Sequence, residues 1–344
     1  MQRIKLIFLI AATALCCFSE VLAKTWYVRQ DGTGDTRSIK TGVDGAGPGD
    51  TVLVAPGLYY EGTIYIDKSV HVISEAGPEQ TIINHVGSPS TEEHVIQVEN
   101  TTDCSIIGFT IQGGDCDLAS RGGGLIIGQS NVLVMNNKIQ ENWCANGGGI
   151  FVRGNPAPSV INNLIFANGA FVGGGILIAD SSPIIMNNTV VANSVSVNAG
   201  GIRIMGDSKP IIKYNLVCYN AAPTDYYGGV YCSVDVDSLV FECNNIWSNW
   251  PSGTDYGGTI ADLIGIDGNM SVDPLFCGVY GSDNYYLQQG SPCAEANVPS
   301  CCNGIRIGYY PVNCTTSIEQ STWGKIKSSM KERGSGNEEG SSPP

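Results

Sequence analysis

The sequence predicts an all-β fold, a solenoid of short parallel strands closed by a distinct segment at each end. Three observations carry that prediction. A glycine-led phrase recurs as Gly122-Gly-Gly-Leu-Ile-Ile, Gly147-Gly-Gly-Ile-Phe-Val, Gly173-Gly-Gly-Ile-Leu-Ile, Gly200-Gly-Ile-Arg-Ile, Gly228-Gly-Val-Tyr-Cys and Gly257-Gly-Thr-Ile. The residues that follow the glycines, Leu125, Ile150, Ile176, Ile202, Val230 and Thr259, are 25, 26, 26, 28 and 29 residues apart. An asparagine phrase alternates with it, as in Asn136-Asn-Lys-Ile-Gln-Glu-Asn142, Asn162-Asn-Leu-Ile-Phe-Ala-Asn168 and Asn187-Asn-Thr-Val-Val-Ala-Asn193. Apolar residues come in runs of four to six between glycine, asparagine and proline, without helical spacing, and this is the pattern of strands and turns. Repetition at this period signals a solenoid or a propeller, and propeller blades need roughly 40 residues or more.

The elements follow in chain order. Residues 1–23 read as a secretory signal peptide, with Arg3 and Lys5, an apolar run, and Val21-Leu-Ala23 before the cleavage point. Cleavage to a soluble form is expected over lipidation at Cys16 or Cys17, whose preceding residues lack a small-residue pattern. No later run approaches the length of a membrane span. Residues 24–60 form an amino-terminal cap and first coil, because an open solenoid end exposes core and unpaired backbone. Early coils follow around 70–74, 81–84 and 95–98, and the regular coils occupy 121–260. Each regular coil is expected to hold two or three strands stacked roughly 4.8 Å from their counterparts.

Asn137, Asn163, Asn188, Asn215 and Asn244 recur in step, and Asn142, Asn168, Asn193, Asn220 and Asn249 lie five residues after each. Asparagine tolerates left-handed backbone and bonds turn backbone, so these residues are expected to form ladders at successive corners. Sugar binding by the same amides is the alternative. Pro158, Pro183 and Pro210 recur at strand starts, where a missing N–H is tolerated. Residues 271–314 are read as a cysteine-rich carboxyl cap within a single β-helix domain spanning 24–314. Residues 315–344 are polar and rich in Gly, Ser and Glu, the composition of a disordered tail.

On these repeats the chain resembles right-handed parallel β-helix proteins of the pectate-lyase-like superfamily. The paired phrases Gly174-Gly-Ile and Phe166-Ala-Asn168 also resemble repeats of chlamydial polymorphic outer-membrane proteins. The resemblance covers most of residues 25–312 and implies a right-handed coil. It also implies polysaccharide chemistry. Lyases of this fold neutralise a uronate carboxylate with calcium or arginine and remove a proton with Arg, Lys, His or Tyr. Polygalacturonases use paired carboxylates beside a Gly-His-Gly segment. The three histidines, His71, His85 and His94, all precede the regular repeats, and no Gly-His-Gly occurs. No catalytic signature emerges.

The net charge of −14 offers no basic stripe, so nucleic acid is excluded as a partner. A bulk anionic polymer would also be repelled unless cations or local arginines intervene. Of thirteen cysteines, two lie in the signal segment. Secretion makes disulfides the expected state of the remaining 11, and their odd number leaves at least one thiol free or paired between molecules. Cys277, Cys293, Cys301, Cys302 and Cys314 are expected to staple the carboxyl segment.

Side-chain alternation supplies a candidate site. If Leu125, Ile150, Ile176, Ile202 and Val230 point inward, Ile126, Phe151, Leu177, Arg203 and Tyr231 point outward, with Arg153 two places beyond Phe151. Phe151, Arg153, Arg203 and Tyr231 are therefore the candidate ligand-binding residues, since aromatics stack on sugars and arginines fork onto carboxylates. The competing reading has the loops 221–227 and 250–256 cover an apolar stripe. Asp115 and Asp117, and Asp235 and Asp237, are candidate calcium or acid/base pairs, with solvated loop charges as the alternative. Asp31, Asp35 and Asp50 read as turn residues. The function expected is a secreted or surface protein that recognises an extracellular polysaccharide or cell-surface glycan, adhesin-like and non-catalytic. The alternatives are a polysaccharide lyase or glycoside hydrolase, and a structural envelope component.

Overall fold

The computed structural model describes residues 23–87, 94–116, 121–155, 157–278 and 284–314. The tail and all of the signal segment but Ala23 lie outside the described residues. The chain winds as a right-handed parallel β-solenoid of about nine turns. Among the described residues, a first sheet of nine strands runs from Thr25–Val28 and Thr51–Val54 through Val132–Met135 and Ser159–Ile161 to Val240–Glu242. A second sheet of eight includes Ile96–Glu99, Leu125–Gly128, Ile150–Arg153, Ile176–Ala179, Ile202–Met205 and Val230–Cys232. A third sheet of eight includes Lys138–Gln140, Leu164–Phe166, Thr189–Val191 and Leu216–Cys218. Pairing is parallel and in register, so Leu125 meets Ile150 and Ile150 meets Ile176.

Alternation of side chains builds the core. Val134 and Val160 of the first sheet, Ile127 and Ile150 of the second, and Ile139 and Ile165 of the third all point to the axis and are fully buried. Burying such a side chain contributes about 1.5–3 kcal/mol, and one apolar column per sheet repeats that gain in every coil. At the amino end, a helix α1 (Ile39–Gly45) starts from the N-cap Ser38 and places Ile39 and Val43 in the same core.

Both asparagine ladders form; the first runs one asparagine beyond the expected set and the second is closed by an aspartate. In the first, the Asn163 Oδ1 accepts from the backbone N and the Nδ2 of Asn137, while the Asn163 Nδ2 donates to the Val134 carbonyl and to Asn188 Oδ1. The pattern repeats to Asn244, whose backbone N and Nδ2 donate to Asn269 Oδ1. The second ladder ends at Asn249, where Asp255 Oδ1 accepts both donors. The left-handed backbone expected at the ladder asparagines falls one residue earlier. Asn136, Asn162, Asn187, Tyr214 and Cys243 have φ between 54° and 59°, as do Glu141, Ala167, Ala192 and Tyr219, with Ser248 at 53°. The hydrogen bonds of the ladder hold the corner, so alanine and tyrosine tolerate a conformation they ordinarily avoid.

Two features depart from the sequence expectation. Three coils carry a fourth strand, and Trp143–Asn146, Gly169–Val172 and Ser194–Asn198 form a small parallel sheet of their own. The glycine turn that follows, with Gly147 at φ +69°, returns the chain to the second sheet, and a Cβ there would crowd Ile150 and Phe151. The other departure is the carboxyl segment expected as an end cap. Its described residues fold back along the outer face of the third sheet, where Phe276, Leu287, Ile307 and Tyr310 bury Leu164, Val191 and Leu216. Gly308 N donates to Tyr214 O at 2.8 Å, and Asn187 Nδ2 to Arg306 O at 2.8 Å. Ile260 and the partly buried Leu263 pack on the core beyond the last full coil.

Disulfides join Cys116 to Cys144, Cys243 to Cys302 and Cys277 to Cys314. Cys104 and Cys116, close in sequence, are not partners. Cys104, Cys218, Cys232 and Cys293 are buried thiols and Cys301 an exposed one, so the staple role expected of Cys293 and Cys301 is not taken up.

Candidate functional site

The outer face of the second sheet is set by its register. Ile126, Phe151, Leu177, Arg203 and Tyr231 stack in one outward column. Two residues further along the strands, Glu99, Gly128, Arg153, Ala179 and Met205 stack in another. The four expected residues share this face but divide into two groups. Phe151 and Arg153 line a groove of about 490 Å³ together with Glu99, Arg121, Asp180 and Met205. Arg203 and Tyr231 lie beyond it and engage each other, with the guanidinium 4.3 Å from the ring centroid. Arg203 Nη1 also donates to the carbonyls of Ile204 and Tyr231 at 3.4 and 3.5 Å. Burial lowers the Arg203 pKa from its ordinary value, with Tyr231 opposing the shift.

Phe151 is not a stacking platform. It is 3% exposed and packs with Ile126 and Leu177, with Val172 of the fourth sheet against them. The wall that the fourth strands build beside the second sheet is what covers it. The loop reading is met at the other end of the column, where Tyr227 lies against Tyr231 with ring centroids 5.0 Å apart.

The charged side chains give the groove its chemistry. Arg153 Nη2 lies 2.6 Å from Glu99 Oε1, although the two residues belong to strands two rungs apart. Gly128 stands between them in register, and a Cβ there would run into the Glu99 carboxylate. Glycine is therefore what lets the pair meet. Glu99 is buried, whereas the Arg153 side chain is 43% exposed and keeps N–H groups for a ligand. Arg121 holds its guanidinium 5.6 Å over the Phe151 ring. Asp180 Oδ1 accepts from Asp207 N at 2.9 Å. Two guanidinium groups thus face two carboxylates, and the groove is locally balanced on a chain of net charge −14. Glu99, Arg121 and Asp180 escaped the sequence reading. Following the Arg153 column two coils upstream, past Gly128, would have found Glu99.

Among the described residues, no acidic pair stands with a third potential ligand close enough to share an ion. Asp115 is exposed and bridges to Trp143, while Asp117 lies outside the described residues. Asp235 accepts from Asp237 N at 3.2 Å and caps a short turn. Asp31 accepts from Thr33 N and Asp50 from Gly47 N, as turn residues do, while Asp35 and Asp50 also tie the first strand by accepting from Tyr27 N and Lys24 N. Among the described residues, the group of three or more potential ligands close enough to share an ion is Cys243, Cys301 and Cys302, and the disulfide occupies two of these sulfurs.

A family model described as "Right handed beta helix region" matches residues 72–262. Among solved structures, the chain is similar to the pectate lyase Pel9A, with 12% identity over 84% of this chain and 96% of that one and a TM-score of 0.46. It is similar also to the pectin methylesterase PemA from Erwinia chrysanthemi, with 10% identity over 69% of this chain and 80% of that one and a TM-score of 0.37. No curated protein matches the sequence.

Proposed function

The chain belongs to the right-handed β-helix family, and we propose that its second sheet binds an extracellular, uronate-bearing polysaccharide, adhesin-like and without cleaving it. The observation that carries this reading is the Arg153–Glu99 pair. A buried carboxylate fixes one edge of the guanidinium, so the other edge meets a ligand carboxylate with little rotamer freedom left to lose. Arg121 supplies a second cation at the same groove, which offsets the repulsion a strongly acidic chain exerts on an anionic polymer. Three disulfides support an oxidising, extracytoplasmic setting. No helix among the described residues is long and apolar enough to cross a membrane.

The groove also favours a second reading, as a lyase. Arginine and carboxylate groups over one cleft are what proton abstraction beside a uronate carboxylate requires. One experiment separates the two. Retention of the full chain on immobilised polygalacturonate is measured beside release of unsaturated product, with and without calcium. Retention that falls at least about tenfold in Arg153→Ala, a loss near 1.4 kcal/mol, with no unsaturated product, supports the binding reading. Unsaturated product establishes the lyase. Absence of both retention and unsaturated product on polygalacturonate removes both readings and leaves the structural envelope role.

A further inference from the structure

Apart from the arginine groove, the carboxyl end of the solenoid holds a second cleft of about 460 Å³, within the range of small-ligand sites. It is lined by Trp247, Ser248, Trp250, Ser252, Asp255 and Ser271, and it shares no residue with the groove. Trp250 is 61% exposed, although its backbone is pinned on both sides. Its N–H donates to Asn220 O at 2.8 Å, and its carbonyl accepts from Ala222 N at 2.9 Å. The fold therefore fixes the backbone from which this indole projects and leaves most of the side chain to solvent. Trp247 is half-buried and held edge-on against Tyr219, with ring centroids 5.6 Å apart. Two indoles are thus presented from an ordered backbone, one of them held by a ring contact.

The polar groups are fixed as well. Asp255 ends the second asparagine ladder, its Oδ1 accepting from the backbone N and the Nδ2 of Asn249. Its Oδ2 accepts from the Ser271 hydroxyl at 3.0 Å. Each oxygen of an ionised carboxylate has more than one acceptor site, so Asp255 stays able to take a ligand hydroxyl. Ser248 and Ser252 add hydroxyls that both donate and accept. No Lys, Arg or His lines the cleft.

We propose that this cleft is a binding site for a neutral oligosaccharide, with the apolar face of a pyranose against Trp250 and its hydroxyl edge on Asp255 and the serines. Aromatic faces beside hydroxyl and carboxylate acceptors match a ring that is apolar on its faces and hydroxylated at its rim. A carboxylate without a neighbouring cation disfavours uronates, which sets this cleft apart from the arginine groove.

The test is a tryptophan-fluorescence titration of the full chain with gluco-, xylo- and manno-configured β-1,4 hexasaccharides and with trigalacturonate. The expected result is a saturable change with at least one neutral probe and weaker binding of trigalacturonate in this assay. Trp250→Ala weakens neutral binding at least about tenfold, Trp247→Phe weakens it less, and Arg153→Ala leaves it unchanged. Because the Trp250 side chain is exposed, its removal leaves the unfolding midpoint in place, and a shifted midpoint in that variant would show the residue to be structural and overturn the proposal. Absence of saturation with every neutral probe, or binding that Trp250→Ala does not alter, also overturns it. So does a dimer by sedimentation that Trp250→Ala converts to monomer, since a second copy would then occupy the cleft. Loss of anionic binding in Arg153→Ala with neutral binding intact separates the fate of the two sites.

Discussion

Asn163→Ala tests the claim that the asparagines are structural. Asn163 is fully buried, and its amide makes five hydrogen bonds. Truncation leaves the Asn137 N–H and the Val134 carbonyl facing the cavity of the lost amide, and neither can reach water. At about 1–3 kcal/mol for each orphaned buried group, the expected loss is about 2–6 kcal/mol. The neighbouring Asn162→Ala is the control. Asn162 is half-buried with φ +55°, so its loss costs about 1 kcal/mol, chiefly for placing alanine in the left-handed region. The assay is equilibrium unfolding in guanidinium chloride, read as a shift in midpoint at unchanged m-value. Circular dichroism of the native baseline should show the strands intact in both variants, because a solenoid defect is local. A loss under about 1 kcal/mol for Asn163→Ala would show that water or a shifted backbone satisfies the corner. The ladder would then no longer explain why these asparagines recur.

Two further predictions follow from the side chains. Gly128→Ala should displace the Glu99 carboxylate, destabilise the chain by about 1–3 kcal/mol through overpacking and reproduce the loss of polygalacturonate retention of Arg153→Ala; full stability and retention in that variant would mean that the Arg153–Glu99 pair does not depend on the missing side chain. Iodoacetamide at pH 8 should modify Cys301 alone in the native chain lacking residues 1–23, and all five free thiols after unfolding, as mass spectrometry would count. Burial pushes the Cys104 and Cys293 thiols up to about 12 from 9.0. Their folded pKa values are raised, so their contribution to stability is complete below pH 9 and is lost as pH rises toward 12. A midpoint unchanged between pH 8 and 11 would contradict that placement.

The fold was legible because the same physical demand recurs in every coil. Each turn must place one apolar column per sheet on the axis and must close its corner with a group that bonds backbone. The inward residues Leu125, Ile150, Ile176 and Ile202 and the ladder asparagines therefore repeat at the coil period. The fourth strand escaped because no residue type runs through Trp143–Asn146, Gly169–Val172 and Ser194–Asn198 in register; Asn146 and Asn198 share a column, but Val172 stands between them. The path of the carboxyl segment escaped for a related reason. Phe276, Leu287 and Ile307 find their partners on the outer face of the third sheet, far away in sequence, and no period announces a contact made once.

Binding chemistry falls under the same rule. The alternation that identified the outward column placed Phe151 and Arg153 correctly on one face, but exposure depends on what lies above a column. A single wall of non-repeating strands was enough to bury Phe151. Glu99 was hidden because its coil lacks the glycine phrase: His94-Val95 stands where later coils have glycine before the strand. Trp250 and Asp255 were visible only as parts of a loop, since the ladder ends on an aspartate where the repeat would supply asparagine. In a solenoid, residues that satisfy the coil recur, and residues that meet a partner need occur only once. Departures from the repeat are therefore where binding is to be sought: a glycine that opens a salt bridge, an aspartate in place of a rung, an indole left outside the core.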